Sequence, residues 1–360
     1  MLKAQSIKTG KYVAIKCMKT HFNSLDQVNN LREIQALRRL SPHPNVVKLL
    51  EILYDEPTGR LALVFELMEQ NLYEWIRGRK QHFPESKVKS HMYQLAKALE
   101  HMHRNGIFHR DIKPENVLLA DDALKLADFG SCRGIYSKQP FTEYISTRWY
   151  RAPECLITDG YYSYKMDIWG LGCVFFEVLA LFPLFPGSNE LDQISKIHNI
   201  FGTPSPELLA KFKHMTTHMD VNFAPKTGDG FQRLLPQASQ EAKDLIAKML
   251  VYDPDERISA KELLKDGYFR DLVEADIPPK LVPSPSLLRP SPGFDEADGE
   301  QERPGEPLPP IKNPLMYSEK QRLKQAYEPH ISVPGAVRTK PNPYYAKKKP
   351  GKKSYLKGYF

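Results

Sequence analysis

At 360 residues and 41.4 kDa, with 41% hydrophobic residues, the chain can fill two packed lobes, and no run of about eighteen apolar residues offers a membrane span. Its net charge of +8 sits entirely in residues 338–360, which hold eight basic residues and no acid, so the pI near 9.0 describes a tail and not the body. Cys17, Cys132, Cys155 and Cys173 are widely separated, which excludes zinc spacing and favours reduced thiols; Cys132 is a candidate reactive thiol.

The first readable element is a strand over residues 11–18, entered through the turn signal Thr9-Gly10. Ser24, with Gln27 as capping-box partner, opens a helix whose apolar positions Val28, Leu31, Ile34 and Leu37 run to the stop signal Ser41-Pro42. Residues 46–50 and 61–65 read as two strands around a turn at 55–59. From Glu85 to Arg104, Val88, Met92, Leu95, Leu99 and Met102 step by three and four, the spacing of an amphipathic helix, which Asn105-Gly106 ends.

That helix delivers the chain to His109, Arg110, Asp111, Ile112, Lys113, Pro114, Glu115 and Asn116, followed by a short strand at 124–126 and then Asp128, Phe129 and Gly130. These residue types suit phosphoryl transfer: Asp111 can accept a hydroxyl proton, Lys113 can reach the transferred group, and Asn116 and Asp128 offer the hard oxygen ligands that Mg²⁺ prefers. Residues 165–179 are apolar nearly all round and too short to span a bilayer, so they should form a buried central helix in which Asp167 must find partners. Ser239 and Ser259 open later helices, the second with Glu262 as capping-box partner. Sixteen of the 30 prolines follow residue 270, marking a domain end near Phe269 and a disordered, Pro-rich tail.

In this order the motifs resemble the eukaryotic protein kinase family over about residues 3–269. Within it, residues 147–154 (Thr-Arg-Trp-Tyr-Arg-Ala-Pro-Glu), the triplet Thr142-Glu143-Tyr144 and the segment 185–204 are similar to the CMGC group, which contains MAP kinases and cyclin-dependent kinases. Residues 27–40, 131–133, 136–140 and 189–198 narrow the resemblance to one branch of that group.

The resemblance implies an α+β, bilobal fold with a small β-rich lobe and hinge (1–68) and a larger helical lobe (69–269); the Pro-rich, basic tail (270–360) is read from composition and lies outside the resemblance. The resemblance implies a serine/threonine kinase using ATP and Mg²⁺. Lys16 would hold the α- and β-phosphates and pair with Glu33. Backbone groups of Glu66 and Met68 would read the adenine edge, Phe65 would guard the deeper pocket, Ala14 and Leu118 would sandwich the ring, and Asn71 would reach the ribose. Asp167 would hold the catalytic loop, and Arg257 would pair with Glu154. Thr142 and Tyr144 would be phosphorylated, by an upstream kinase or by the chain itself, with Arg110 and Arg133 receiving the phosphates. Arg151 implies protein substrates with Ser/Thr-Pro sites, although Ser146 departs from the pattern.

A second departure concerns the nucleotide lid. The chain starts at Met1-Leu2-Lys3-Ala4, inside the family's second strand, without the first strand or its Gly-x-Gly-x-x-Gly loop. A truncated sequence, an alternative start and a pseudokinase each fit this, so a catalytically impaired binding or scaffold module stands as the alternative function. The expected state is a monomer of the cytoplasm and nucleus, with the cilium implied by the resemblance. The Tyr-interleaved basic tail is a candidate for polyanions or import receptors.

Overall fold

Short apolar runs such as Val13-Ala14-Ile15 and Leu61 to Phe65 supply the strands of one antiparallel sheet in the first 66 residues. The structure, a computed structural model, describes residues 1–142, 147–217 and 219–276. Strands β1 (Leu2–Gln5), β2 (Tyr12–Cys17), β3 (Leu49–Asp55) and β4 (Arg60–Glu66) take the order β1-β2-β4-β3. β4 lies inside the sheet and buries Leu61, Leu63, Val64 and Phe65.

Two expectations in this lobe need correction. The helix read as continuous from Ser24 is two: α1 (Leu25–Asn29) and α2 (Arg32–Leu40). Ser24 does cap α1, accepting from the Gln27 amide at 3.3 Å, but Gln27 Oε1 accepts from Asn23, one residue before the position a capping box requires. The poor helix formers Asn29-Asn30 close α1, and Leu31 (ψ 128°) turns the chain before α2 begins. The strand expected at 46–50 lies instead at β3. Val46 makes a lone parallel bridge to Leu126, and the Val47 amide donates to Leu126 O at 2.9 Å, so this buried apolar run joins the small lobe to the large one.

After β5 (Gln70–Asn71) and α3 (Leu72–Ile76) comes α4 (Glu85–Arg104), with Val88, Met92, Leu95, Leu99 and Met102 all buried as their spacing requires. It ends at Gly106, whose φ of +73° explains glycine at that turn. β6 (Ile107–Phe108) pairs with β9 (Arg133–Gly134), and β5 pairs with β7 (Val117–Ala120), itself paired with β8 (Ala123–Leu126).

α5 (Pro153–Ile157) leads to α6 (Lys165–Ala180), which is buried from Met166 to Ala180 as a central helix must be. A Cβ on Gly170 would sit 2.9 Å from the Ile112 side chain, so glycine here lets α6 lie directly against the catalytic loop. Further on come α7 (Glu190–Phe201), whose Phe201 ring meets Trp169 of α6, α8 (Pro206–Lys213), α9 (Gln240–Met249), which packs on α6, and α10 (Ala260–Leu263), which packs on α4; Ser239 caps α9, and Ser259 with Glu262 forms the expected capping box.

Arg257 and Glu154 form a buried bidentate pair at 2.8 and 3.0 Å. Three carbonyls, of Val251, Lys165 and Tyr252, accept the remaining guanidinium hydrogens. Helix α11 (Arg270–Asp276) follows Phe269 and is held to α4, where Asp271 pairs with Lys89 and Asp276 with Lys97 and Tyr93. No helix among the described residues is long and apolar enough to cross a membrane. Tyr144, Ser146 and the basic tail lie outside the described residues.

Candidate active site

The edge-to-edge pairing of β2 with β4 fixes Lys16, and α2 carries Glu33 across from it. Lys16 Nζ donates to both Glu33 oxygens, at 2.7 and 2.9 Å, and to Asp128 Oδ1 at 3.0 Å. Burial lowers the lysine's pKa, but the two carboxylates outweigh it and hold the pKa above the ordinary value. Asp128 is the mirror case: burial raises its pKa, and Lys16, with His109 and Lys113, brings it below the usual carboxylate range. Asp128 adopts a left-handed backbone (φ 62°), anchored by the fully buried Phe129, whose ring meets that of His109 edge-on at 5.4 Å. Glu33 is buried while half of the Asp128 side chain is exposed, so Asp128 remains open to a ligand.

Asp167, on the first turn of α6, organises the loop from below. Its Oδ1 accepts from the Arg110 amide, and its Oδ2 from the His109 amide and His103 Nε2, each at 2.8 Å. These bonds hold Arg110 at φ 71°, a conformation that a non-glycine residue adopts at a cost. His109 donates from Nε2 to Ala127 O (2.9 Å) and accepts the Asp111 amide at Nδ1 (3.2 Å), so one tautomer satisfies both contacts.

The Asp111 carboxylate lies at the centre. Lys113 Nζ stands 2.8 Å from Oδ2, Asn116 Nδ2 donates to Oδ2 at 3.0 Å and to the Asp111 carbonyl at 2.8 Å, and the Thr147 amide donates to Oδ1 at 3.2 Å. Lys113 also donates to Thr147 Oγ1 at 3.0 Å. Thr147 is thus a site residue to which the sequence reading assigned no role; no spacing rule tied it to a base 36 residues earlier.

At the hinge, Phe65 is buried opposite Ala14 across the β2–β4 ladder, and the partly buried Leu118 pairs with Asn71 across β5–β7. The Glu66 amide donates to Lys48 O, and its side chain accepts from the Lys48 amide at 2.7 Å and pairs with Lys125 at 2.8 Å. The Met68 amide makes no hydrogen bond among the described residues. Asn71 has a structural duty: its Oδ1 caps α3 by accepting from Glu74 at 2.8 Å in a full capping box. Only its Nδ2 is left for a ribose.

Of the two arginines expected to receive loop phosphates, Arg110 is already engaged. Its Nε donates to Ser131 O at 2.6 Å and its Nη1 to Tyr162 Oη at 2.9 Å, and Tyr162 donates in turn to the carbonyl of the exposed Thr142. Arg133 has a buried Nε without a hydrogen-bond partner among the described residues, and burial, then Arg32 and Arg110, lower its pKa. Arg32, from α2, is a cationic neighbour that the sequence reading missed because it lies a hundred residues away. Arg151 pairs with Glu190 at 2.9 Å. Cys132 is buried, and desolvation raises its thiol pKa well above the ordinary value, which overturns the reactive-thiol expectation.

No three His, Cys, Asp or Glu side chains among the described residues come together to hold a metal alone. Asn116 and Asp128 still fit Mg²⁺, which binds through one or two protein oxygens and takes the rest from phosphates and water. Asn116 spends its Nδ2 on Asp111, while its Oδ1 accepts no hydrogen bond among the described residues.

Residues 1–269 match the family model described as a protein kinase domain. The chain is 58% identical over 271 residues to the human MAPK/MAK/MRK overlapping kinase and 58% identical over 270 residues to the mouse protein of that name, covering 75% of this chain and 64% of each relative. It is 41% identical over 271 residues to the human serine/threonine-protein kinase MAK, covering 75% of this chain and 43% of that relative. The chain therefore spans less than two thirds of the length of these relatives. With the ion pair between β2 and α2, the loop hung from α6 and the match over 269 residues agreeing, the chain belongs to the protein kinase family.

Proposed function

We propose that this chain transfers the γ-phosphoryl group of ATP to serine and threonine hydroxyls of proteins. The observation that carries the reading is the Asp111 carboxylate, held by Lys113, Asn116 and the Thr147 amide beside a Lys16–Glu33–Asp128 cluster. Asp111 orients the acceptor hydroxyl and takes its proton; Lys113, placed against Thr147 Oγ1, faces the transferred group; Lys16 holds the other phosphates. Asn116 and Asp128 would hold Mg²⁺, which neutralises phosphate charge when bound.

The similarity to the serine/threonine-protein kinase MAK supports the serine/threonine class. Loop phosphorylation at Thr142, and at Tyr144 beyond the described residues, is the regulation we favour, with Arg133 and Arg32 as the receiving groups because Arg110 is engaged by Tyr162. Ser/Thr-Pro substrates, action in cytoplasm and nucleus, and polyanion binding by the basic tail belong to the same proposal. Incubation with Mg-ATP and a Ser-Pro peptide should give transfer that Asp111→Asn lowers by about 10²- to 10⁴-fold. Equal transfer by that variant would refute the assignment.

A further inference from the structure

Tyr136 is the most exposed aromatic side chain among the described residues, at 93%. It sits at the tip of a turn closed by the Ser137 amide donating to Gly134 O at 3.1 Å. The turn is anchored: β9 pairs with β6 immediately before it, and the Ile135 amide donates to Gly106 O at 2.8 Å. The ring is therefore presented from a fixed backbone.

Arg39, exposed near the end of α2, reaches the same place. Its Nη2 and the Cε2 of Tyr136 each lie 3.6 Å from the point a Cβ would occupy on Gly106, so at most twice that distance separates them. No ion pair engages Arg39 among the described residues. Arg104 is two residues from Gly106 and meets Glu100 only at 3.8 Å, Arg133 has its unpartnered Nε, and Lys138 follows in sequence. The carbonyl ends of α2 and α4 add roughly half a negative charge each, which these cations outweigh.

We infer that Tyr136 is a phosphorylation site whose phosphate is held by the Arg39 guanidinium, tying the turn after β9 to the end of α2. A phosphate adds about −1.5 to −2 charge and three acceptor oxygens, which a guanidinium fork grips with two parallel bonds. In the transfer, Tyr136 Oη bonds to the γ-phosphorus of ATP held by a tyrosine-phosphorylating kinase. The bond from that phosphorus to the β-phosphate oxygen breaks, ADP leaves with the electron pair, and the phenolic proton passes to that kinase's base. Because α2 also carries Glu33, the tie favours the α2 position that pairs Lys16. That consequence rests on the proposed kinase activity; the phosphate site itself does not.

The test uses the full chain with O-phosphotyrosine installed at position 136, in the parent and Arg39→Gln backgrounds, read by thermal melting and amide exchange. Phosphorylation is expected to raise the melting midpoint by a few degrees and to slow exchange across residues 32–40, and both gains are expected to vanish with Arg39→Gln. Absence of the gains, or their persistence in Arg39→Gln, overturns the site. In parallel, the full chain expressed in animal cells under a tyrosine-phosphatase inhibitor should yield the tryptic peptide 134–138 with phosphate on Tyr136; its recovery only in unmodified form overturns the modification. Neither readout needs transfer by this chain, so failure of the catalytic reading would be seen separately.

Discussion

Asp167→Asn is the sharpest test of how the fold holds the site. The wild-type carboxylate accepts three hydrogen bonds at 2.8 Å while fully buried; desolvation raises its pKa, but His103, His109 and the amides outweigh that and hold it below the ordinary range. An asparagine offers one oxygen and one NH₂. If the oxygen takes the Arg110 amide, the NH₂ meets the His109 amide and His103 Nε2 as donor against donor; the opposite rotamer orphans Arg110. Charge-assisted bonds are worth about 1.5–3 kcal/mol each, and an orphaned buried N–H costs about 1–3. The variant should lose about 3–5 kcal/mol, which at this size shifts the melting midpoint by roughly 6–15 °C. Freed of its anchor, Arg110 relaxes from φ 71°, and Asp111 beside it loses its position. Circular dichroism melts and transfer rates measured well below the variant's midpoint check both halves. A midpoint within a degree of the parent, with unchanged transfer, would refute the claim that Asp167 suspends the loop.

Glu33→Gln removes one charge from the Lys16 cluster while Asp128 stays in place, and should cost about 2 kcal/mol of transition-state stabilisation, roughly 30-fold in kcat/KM, with little change in melting. Glu154→Ala strands the buried Arg257 charge and should destabilise by about 3–5 kcal/mol, more than Glu154→Leu combined with Arg257→Met, because the double variant leaves no uncompensated ion; urea unfolding ranks them. Burial raises the Glu177 carboxyl from 4.5 to about 7, with Glu115 adding to the rise and the Tyr150 hydrogen bond opposing it. Between those values the folded state keeps a proton that the unfolded chain has released, so stability falls as pH rises through this window and is level above it, by about 3 kcal/mol in all. Glu177→Gln should flatten that slope in urea titrations at pH 5 and pH 8, and an unchanged slope would assign the effect to another group.

The sequence by itself determined the proposed chemistry and the long elements. Residues 109–116 and 128–130 carry the groups proposed as base and magnesium ligands, because each of those roles demands a particular functional group. α4 and α6 were legible because twenty and sixteen residues sustain a pattern that no other packing satisfies. Short stretches were not legible. Val46-Val47 is as apolar as a strand but bridges two lobes, and Asn29-Asn30 interrupts a helical spacing that continues on both sides. Tertiary structure alone decided which cations are free. Arg110 spends its guanidinium on Ser131 and Tyr162, Asn71 caps a helix, and Thr147 joins Asp111 from 36 residues away and Lys113 from 34. The reason is physical: composition fixes what a side chain can donate or accept, but only the folded chain brings its partners within hydrogen-bond distance.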